Sequence, residues 1–91
     1  MSDASDAWAA FARELGVRML RARAEKNMSQ EQVAHAAGLA TFTYRKLEKG
    51  ESNPGTAANP RLSTLVALAE VLDVPLNELV PTPPRGLPPR R

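Results

Sequence analysis

The sequence predicts an all-α fold, a single small domain of five helices. Apolar residues recur every three or four positions along most of the chain, which is the spacing of an amphipathic helix. Glycine, asparagine and proline separate these segments at positions where helices commonly end. The 91 residues include one Trp, one Tyr and two Phe, so the core must consist mainly of Leu, Val and Ala, which suits packed helices.

A long first helix is predicted from about residue 7 to residue 26, after a disordered N-terminus of residues 1–6. Its apolar stripe consists of Trp8, Phe11, Leu15, Met19 and Ala22. Gly16 interrupts this helix at a cost of about 1 kcal/mol relative to alanine, which indicates either a close helix crossing or a break. Asn27 is expected to end the helix, because asparagine tolerates the left-handed conformation.

The stretch SQEQVAHAAGL, residues 29–39, predicts a short second helix and a tight turn. Ser29 and Gln32 have the spacing of a capping box, in which each side chain bonds to the backbone of the other. The helix has one apolar face, formed by Val33, Ala34 and Ala37. Gly38 suits the left-handed residue that ends a helix, and Leu39 can fill the corner before the next helix.

A third helix is predicted from residue 40 to residue 49. At about 100° per residue, Ala40, Tyr44 and Leu47 fall on the side that faces the core. Tyr44 is expected to keep its ring in the core while its hydroxyl reaches the surface. The opposite side presents three cations and no acidic residue. It consists of Phe42, Arg45, Lys46 and Lys49, flanked by Thr41 and Thr43.

Residues 51–60 (ESNPGTAANP) predict a loop, and two further helices follow it. Asn59 is expected to cap the fourth helix and Pro60 to occupy its first position. The core stripe of that helix is predicted to be Leu62, Leu65, Leu68, Ala69 and Leu72. Pro75 stops it, and a short fifth helix spans residues 76–80.

The net positive charge of the chain comes from its C-terminal end. The formal net charge is +2, from 12 basic and 10 acidic residues. Five prolines in residues 81–91 predict an extended, disordered tail, which also holds Arg85, Arg90 and Arg91. Residues 1–80 therefore carry 9 basic and 10 acidic groups, so any surface that binds nucleic acid depends on local clustering of cations.

The composition excludes several classes of site. Without cysteine, and with His35 as the single histidine, the sequence predicts neither a disulfide nor a metal site. His35 falls on the outer side of the second helix, where we expect it to be solvated. The spacing of polar residues forms no catalytic arrangement, which indicates a protein that is not an enzyme and uses no cofactor. The acidic N-terminus and the lack of an apolar run of roughly 20 residues predict a cytoplasmic protein, neither secreted nor in a membrane.

Three segments in order resemble the lambda-repressor-like (Cro-type, XRE) helix-turn-helix family. They are SQEQVAHAAGL, the spacing from Gly38 to LEKG at residues 47–50, and LSTLVALAEVLDV at residues 62–74. The resemblance covers about residues 15–79. It implies a compact five-helix DNA-binding domain, residues 7–80, with the helix-turn-helix at the second and third helices. The implied function is sequence-specific binding of double-stranded DNA in the regulation of transcription.

The resemblance also implies which residues contact DNA. These are Gln30, Thr41, Phe42, Thr43, Arg45, Lys46 and Lys49. The position matched by Gln30 contacts a phosphate in the family, and Gln30 here lies beside the free N–H groups of a helix start. Arg45 or Lys46 can donate to guanine, and threonine methyl groups can contact thymine. Phe42 departs from the polar residue usual in the family, and either contacts a thymine methyl group or packs against another protein.

The family further implies a structural ion pair between Arg23 and Glu48. A planar guanidinium can grip a carboxylate with two hydrogen bonds, which lysine cannot copy. Such a pair would tie the first helix to the third and hold the reading helix at its angle.

The loop after the third helix departs from the family pattern. The family usually has one Asn-Pro there, whereas this chain has Asn53-Pro54 and Asn59-Pro60, which indicates an insertion of about six residues. We expect this insertion to be mobile rather than to lie over the DNA backbone.

The resemblance suggests a homodimer on a near-palindromic operator, because one recognition helix alone reads few base pairs. Val66, Val71 and Val80 fall off the core stripes, and either form the dimer interface or are scattered surface residues. The alternative function is an interaction module, the antitoxin of a toxin–antitoxin pair, with the tail or Phe42 meeting a protein partner.

Overall fold

The computed structural model describes the backbone of residues 4–83 and the side chains of residues 6–83. Within this part of the chain, five helices and one two-stranded sheet follow in order. They are α1 (Ala4–Glu25), α2 (Gln30–Ala36), α3 (Thr41–Glu48), β1 (Glu51–Asn53), β2 (Thr56–Ala57), α4 (Leu62–Leu72) and α5 (Leu76–Leu79). The predicted all-α class with five helices is confirmed. Disorder is predicted for residues 1–6 and 81–91, but residues 4–6 belong to α1 and Pro81 is buried. Residues 1–3 and 84–91 lie outside the described residues.

The first helix is continuous from Ala4 to Glu25 and begins before the predicted residue 7. Gly16 lies in its middle without breaking it. A Cβ atom at this position would lie 2.4 Å from the carbonyl oxygen of Glu48 and 2.7 Å from that of Leu47. Gly16 therefore marks a close crossing of α1 and α3, one of the two predicted alternatives. Asn27 ends the segment with φ of 56°, as predicted.

One core lies between the helices. Its fully buried side chains come from α1, α2, α3, α4 and α5, and the largest are Tyr44, Met19, Leu68, Leu72, Leu79 and Val33. Leu62 corrects the predicted stripe, because its exposed fraction is 68%. The reason is that α4 begins only at Leu62 with Arg61 as its N-cap, so the predicted roles of Asn59 as cap and Pro60 as first residue are also wrong.

Residues 51–57, predicted as part of a loop, form a short antiparallel hairpin. Gly55 takes the left-handed conformation at its turn, with φ of 79°. The return strand is followed by Ala58, which is buried and donates its N–H to the carbonyl oxygen of Gly50 at 2.8 Å. The indole Nε1 of Trp8 donates to the carbonyl oxygen of Ala58 at 3.0 Å, so the hairpin is tied to the start of α1.

Among the helices of the described residues, none combines the length and the apolar character needed to cross a membrane.

Candidate nucleic-acid interface

Hydrogen bonds fix both the start of α2 and the turn between α2 and α3. The Ser29 hydroxyl accepts from the N–H of Gln32 at 3.0 Å, and the Gln32 side chain accepts from the N–H of Ser29 at 2.8 Å, which completes the predicted capping box. Gly38 is left-handed, with φ of 74°. The N–H of Leu39 then bonds to the carbonyl oxygen of Ala34 at 2.8 Å, which closes the turn and sets the direction of α3.

The third helix divides into an inner and an outer side. Tyr44 and Leu47 are buried in the core. Phe42, Thr43, Arg45 and Lys49 are exposed, and Thr41 and Lys46 are half-buried at the edges. Over α3 itself, the acidic residue Glu48 belongs to the inner side, with a side chain 4% exposed. The outer side of this helix is therefore cationic.

Phe42 and Lys46 form one unit on this outer side. Phe42 is 69% exposed, and the Nζ atom of Lys46 lies 4.4 Å from the centre of its ring. At this distance the ammonium group is attracted to the face of the ring. The contact keeps the lysine charge on the outer side of α3.

The predicted partners Arg23 and Glu48 meet in a two-pronged ion pair. Nε of Arg23 donates to Oε2 of Glu48 at 2.6 Å, and Nη2 donates to Oε1 at 3.1 Å. The remaining nitrogen, Nη1, donates to the carbonyl oxygen of Met28 at 3.0 Å. The arginine thus joins α1, the segment before α2, and the end of α3.

Burial and hydrogen bonding act in opposite directions on Glu48. Burial would raise the pKa of its carboxyl group, but the hydrogen bonds donated by Arg23 and Gln30 outweigh burial, and the pKa lies below its ordinary value of 4.5. Tyr44 lies beside the pair, and its hydroxyl corrects the prediction, because it is buried without a partner at hydrogen-bond geometry. Burial, followed by the proximity of the Glu48 carboxylate, raises the pKa of Tyr44 far above its ordinary value.

Gln30 connects the ion pair to the outer side of α3. Its Nε2 donates to Oε1 of Glu48 at 2.8 Å, and its Oε1 accepts from Nε of Arg45 at 3.2 Å. Nη2 of Arg45 also donates to Oε2 of Glu31 at 3.3 Å. Sequence reasoning missed Glu31 and these contacts of Gln30. The available signal was the helix-turn-helix itself, which brings the start of α2 beside the outer side of α3.

The three valines proposed for a dimer interface do not share one environment. Val66 is 41% exposed on α4. Val71 and Val80 are half-buried and pack against the core, so the expectation that all three lie off the core is corrected for these two. His35 is exposed on α2. Among the described residues, no three His, Cys, Asp or Glu side chains come together as a metal site.

Three comparisons with known proteins agree with this geometry. A family model described as helix-turn-helix (HTH_3) matches residues 17–79. The cryptic phage CTXphi transcriptional repressor RstR of Vibrio cholerae is 38% identical over 58 residues, which are 64% of this chain and 47% of that protein. The chain thus matches about half the length of this relative. The restriction-modification controller protein C.AhdI from Aeromonas hydrophila, known from a high-resolution crystal structure, is 30% identical with a TM-score of 0.67, over 77% of this chain and 97% of that one.

Proposed function

Since this chain belongs to the helix-turn-helix family, we propose that it binds double-stranded DNA in a sequence-specific manner and regulates transcription. The observation that carries the proposal is the outer side of α3, where exposed Arg45 and Lys49 flank the Phe42–Lys46 unit. Two similar proteins support it, because one is named a transcriptional repressor and the other a controller protein.

The proposed reading element is α3, lying in the major groove, which is wide enough for one helix. Arg45 and Lys46 would donate to guanine O6 and N7, and Thr41 and Thr43 would contact thymine methyl groups or phosphates. Gln30 has a second hydrogen on Nε2, besides the one it donates to Glu48, for a phosphate oxygen. Lys49, at the end of α3, would contact the backbone and supply sequence-independent attraction.

Alanine substitution of Arg45 or Lys46 tests this assignment. Duplexes are first selected from random DNA with the wild-type chain, and affinity is then measured for selected and random sequences. Loss of a base contact should weaken binding to the selected duplex by about 1–3 kcal/mol, with a smaller loss on random DNA. The matched control is Arg21→Ala, an exposed arginine of α1 in a groove with Glu14, Arg18 and Glu78. Equal losses for all three variants on both kinds of DNA would contradict the assignment of α3 as the reading helix.

The proposal extends to a homodimer on a near-palindromic operator. One α3 reads few base pairs, and two-fold pairing doubles the site. Leu62 and Val66 support this extension, because they are 68% and 41% exposed on one helix, α4. Val66 therefore stays in the proposed interface, and Leu62 takes the place of Val71 and Val80, which pack against the core.

A further inference from the structure

We propose that Glu31 and Gln30 are positioning residues that hold the Arg45 guanidinium in one orientation, so that Arg45 selects guanine at one base pair. The inference rests on the proposed function and names the base that the reading helix requires. It gives Glu31 a role in specificity, although its negative charge lies on a surface that would meet phosphates.

The orientation of Arg45 is set by a chain of contacts that starts inside the protein. Glu48 is 4% exposed and held by two hydrogen bonds from Arg23. A carboxylate only accepts hydrogen bonds, so Gln30 must turn its NH₂ group toward Glu48. The carbonyl oxygen of the Gln30 amide then necessarily faces away from Glu48, and it accepts from Nε of Arg45.

Glu31 holds a second nitrogen on the same edge of the guanidinium. Its Oε2 accepts from Nη2 of Arg45 at 3.3 Å. The five N–H groups of an arginine lie in one plane, so these two contacts determine how that plane is turned. Donors remaining on Nη1 and Nη2 form the end of the fork, which matches the paired acceptors O6 and N7 of guanine.

Gln30 and Glu31 together form a clamp on Arg45. The Glu31 carboxylate lets this clamp distinguish a base from a phosphate. Arg45 and Glu31 are both exposed, at 51% and 64% of their side chains, so the pair alone contributes at most about fivefold to an equilibrium. When Arg45 contacts guanine end-on, the pair is kept and no side-chain freedom is lost on binding. When a phosphate approaches Arg45 instead, the Glu31 carboxylate repels it. Glu31 therefore favours the base contact over the backbone contact.

The test is the Glu31→Gln variant, with Glu14→Gln as its control. Both variants remove one negative charge from an exposed ion pair, since Glu14 lies 3.4 Å from Arg18 on α1. Affinity is measured for the selected duplex, for random duplex, and for a pool of the selected duplex randomised at one base pair at a time. We expect Glu31→Gln to reduce the ratio of selected to random affinity by up to about fivefold. The guanine preference should relax at the single base pair where Arg45→Ala also relaxes it.

The control should change selected and random affinity by the same factor and keep every base preference. Replacing the selected guanine by 7-deazaguanine, which lacks the N7 acceptor, should weaken the wild type and leave Arg45→Ala unaffected. Equal behaviour of Glu31→Gln and Glu14→Gln, or a loss of preference spread over all positions, would overturn the inference while wild-type selection still supported the proposed function. A wild type that selects no sequence would instead overturn the proposed function, and this inference with it.

Discussion

At the scale of single residues, the Arg23–Glu48 pair fixes the end of α3 against α1. The guanidinium of Arg23 bonds to the Glu48 carboxylate and to the Met28 carbonyl oxygen, so one side chain joins three segments. Lysine, with one compact ammonium group, could not reach all three acceptors in this plane. Sequence reasoning reached this pair only through the family resemblance, because 25 residues separate its members and no local pattern connects them.

Arg23→Ala should therefore destabilise the fold strongly. The substitution leaves the Glu48 carboxylate, 4% exposed, without its main partner, and breaking such a pair costs about 3 kcal/mol. Urea unfolding measures this loss. The control, Arg21→Ala, removes an exposed arginine from the same helix and should change the free energy of unfolding by less than about 0.5 kcal/mol. Similar small effects of both variants would mean that the pair contributes no more than a surface contact.

The stability of the protein should also fall in acid because of Glu48. Burial raises the pKa of this carboxyl group, but the hydrogen bonds from Arg23 and Gln30 lower it by more than burial raises it. The folded-state pKa therefore lies below the ordinary value of 4.5. The unfolded chain then takes up a proton at higher pH than the folded chain does. This contribution is complete above the ordinary pKa and is lost as the pH falls through the lower folded-state pKa.

Unfolding by urea between about pH 3 and pH 7 measures this loss. Glu48→Gln should be less stable than the wild type at neutral pH, and its free energy of unfolding should fall less steeply in acid. Parallel curves for the two proteins would assign the acid sensitivity to other carboxyl groups.

At the scale of elements, α1 crosses close to the end of α3 at Gly16. Gly16→Ala would place a Cβ atom 2.4 Å from a backbone oxygen of α3, which cannot turn away as a side chain could. We expect a loss of about 3 kcal/mol despite the better helix propensity of alanine, together with weaker binding to selected DNA. Thermal unfolding and a DNA titration check both effects.

Gly55→Ala is the matched control for this variant. Gly55 is left-handed, with φ of 79°, and a Cβ atom there would meet nothing within 4 Å. The variant should lose about 1 kcal/mol of stability and keep its DNA affinity. A Gly16→Ala protein with wild-type stability and affinity would show that the two helices can separate without consequence.

The elements also show which parts of the fold the sequence could predict. The helices have apolar stripes and caps, such as Ser29 with Gln32, and these signals are local. The hairpin was missed because strands of three and two residues are too short to show an alternating pattern. The exposed position of Leu62 was missed for a different reason. The chain before α4 is held by hydrogen bonds of Ala58 with Gly50 and with Trp8. Trp8 is 50 residues away from Ala58 in the sequence, so no local pattern indicates where α4 begins.

At the scale of the whole molecule, the charge distribution indicates how much of the DNA affinity must come from specific contacts. The chain carries a net charge of only +2, and three of its arginines lie in residues 85–91. Sequence-independent attraction grows with the number of phosphates neutralised, so a domain with few clustered cations gains little from it.

The outer side of α3 was predictable from rotation about the helix axis, whereas the clamp on Arg45 was not, because it depends on the angle between α2 and α3.

A two-fold assembly would double the number of specific contacts, and Val66→Glu tests it. The wild type should sediment as a dimer at micromolar concentration. The carboxylate would be buried without a partner at the interface, so the dissociation constant should rise at least about tenfold. Binding to a full selected site should weaken, while binding to a half-site should not. Val17→Glu is the matched control, since Val17 is 38% exposed on α1, and it should leave the dimer intact. A wild type that remains a monomer with and without DNA would contradict the two-fold arrangement and leave α3 as a reader of a single short site.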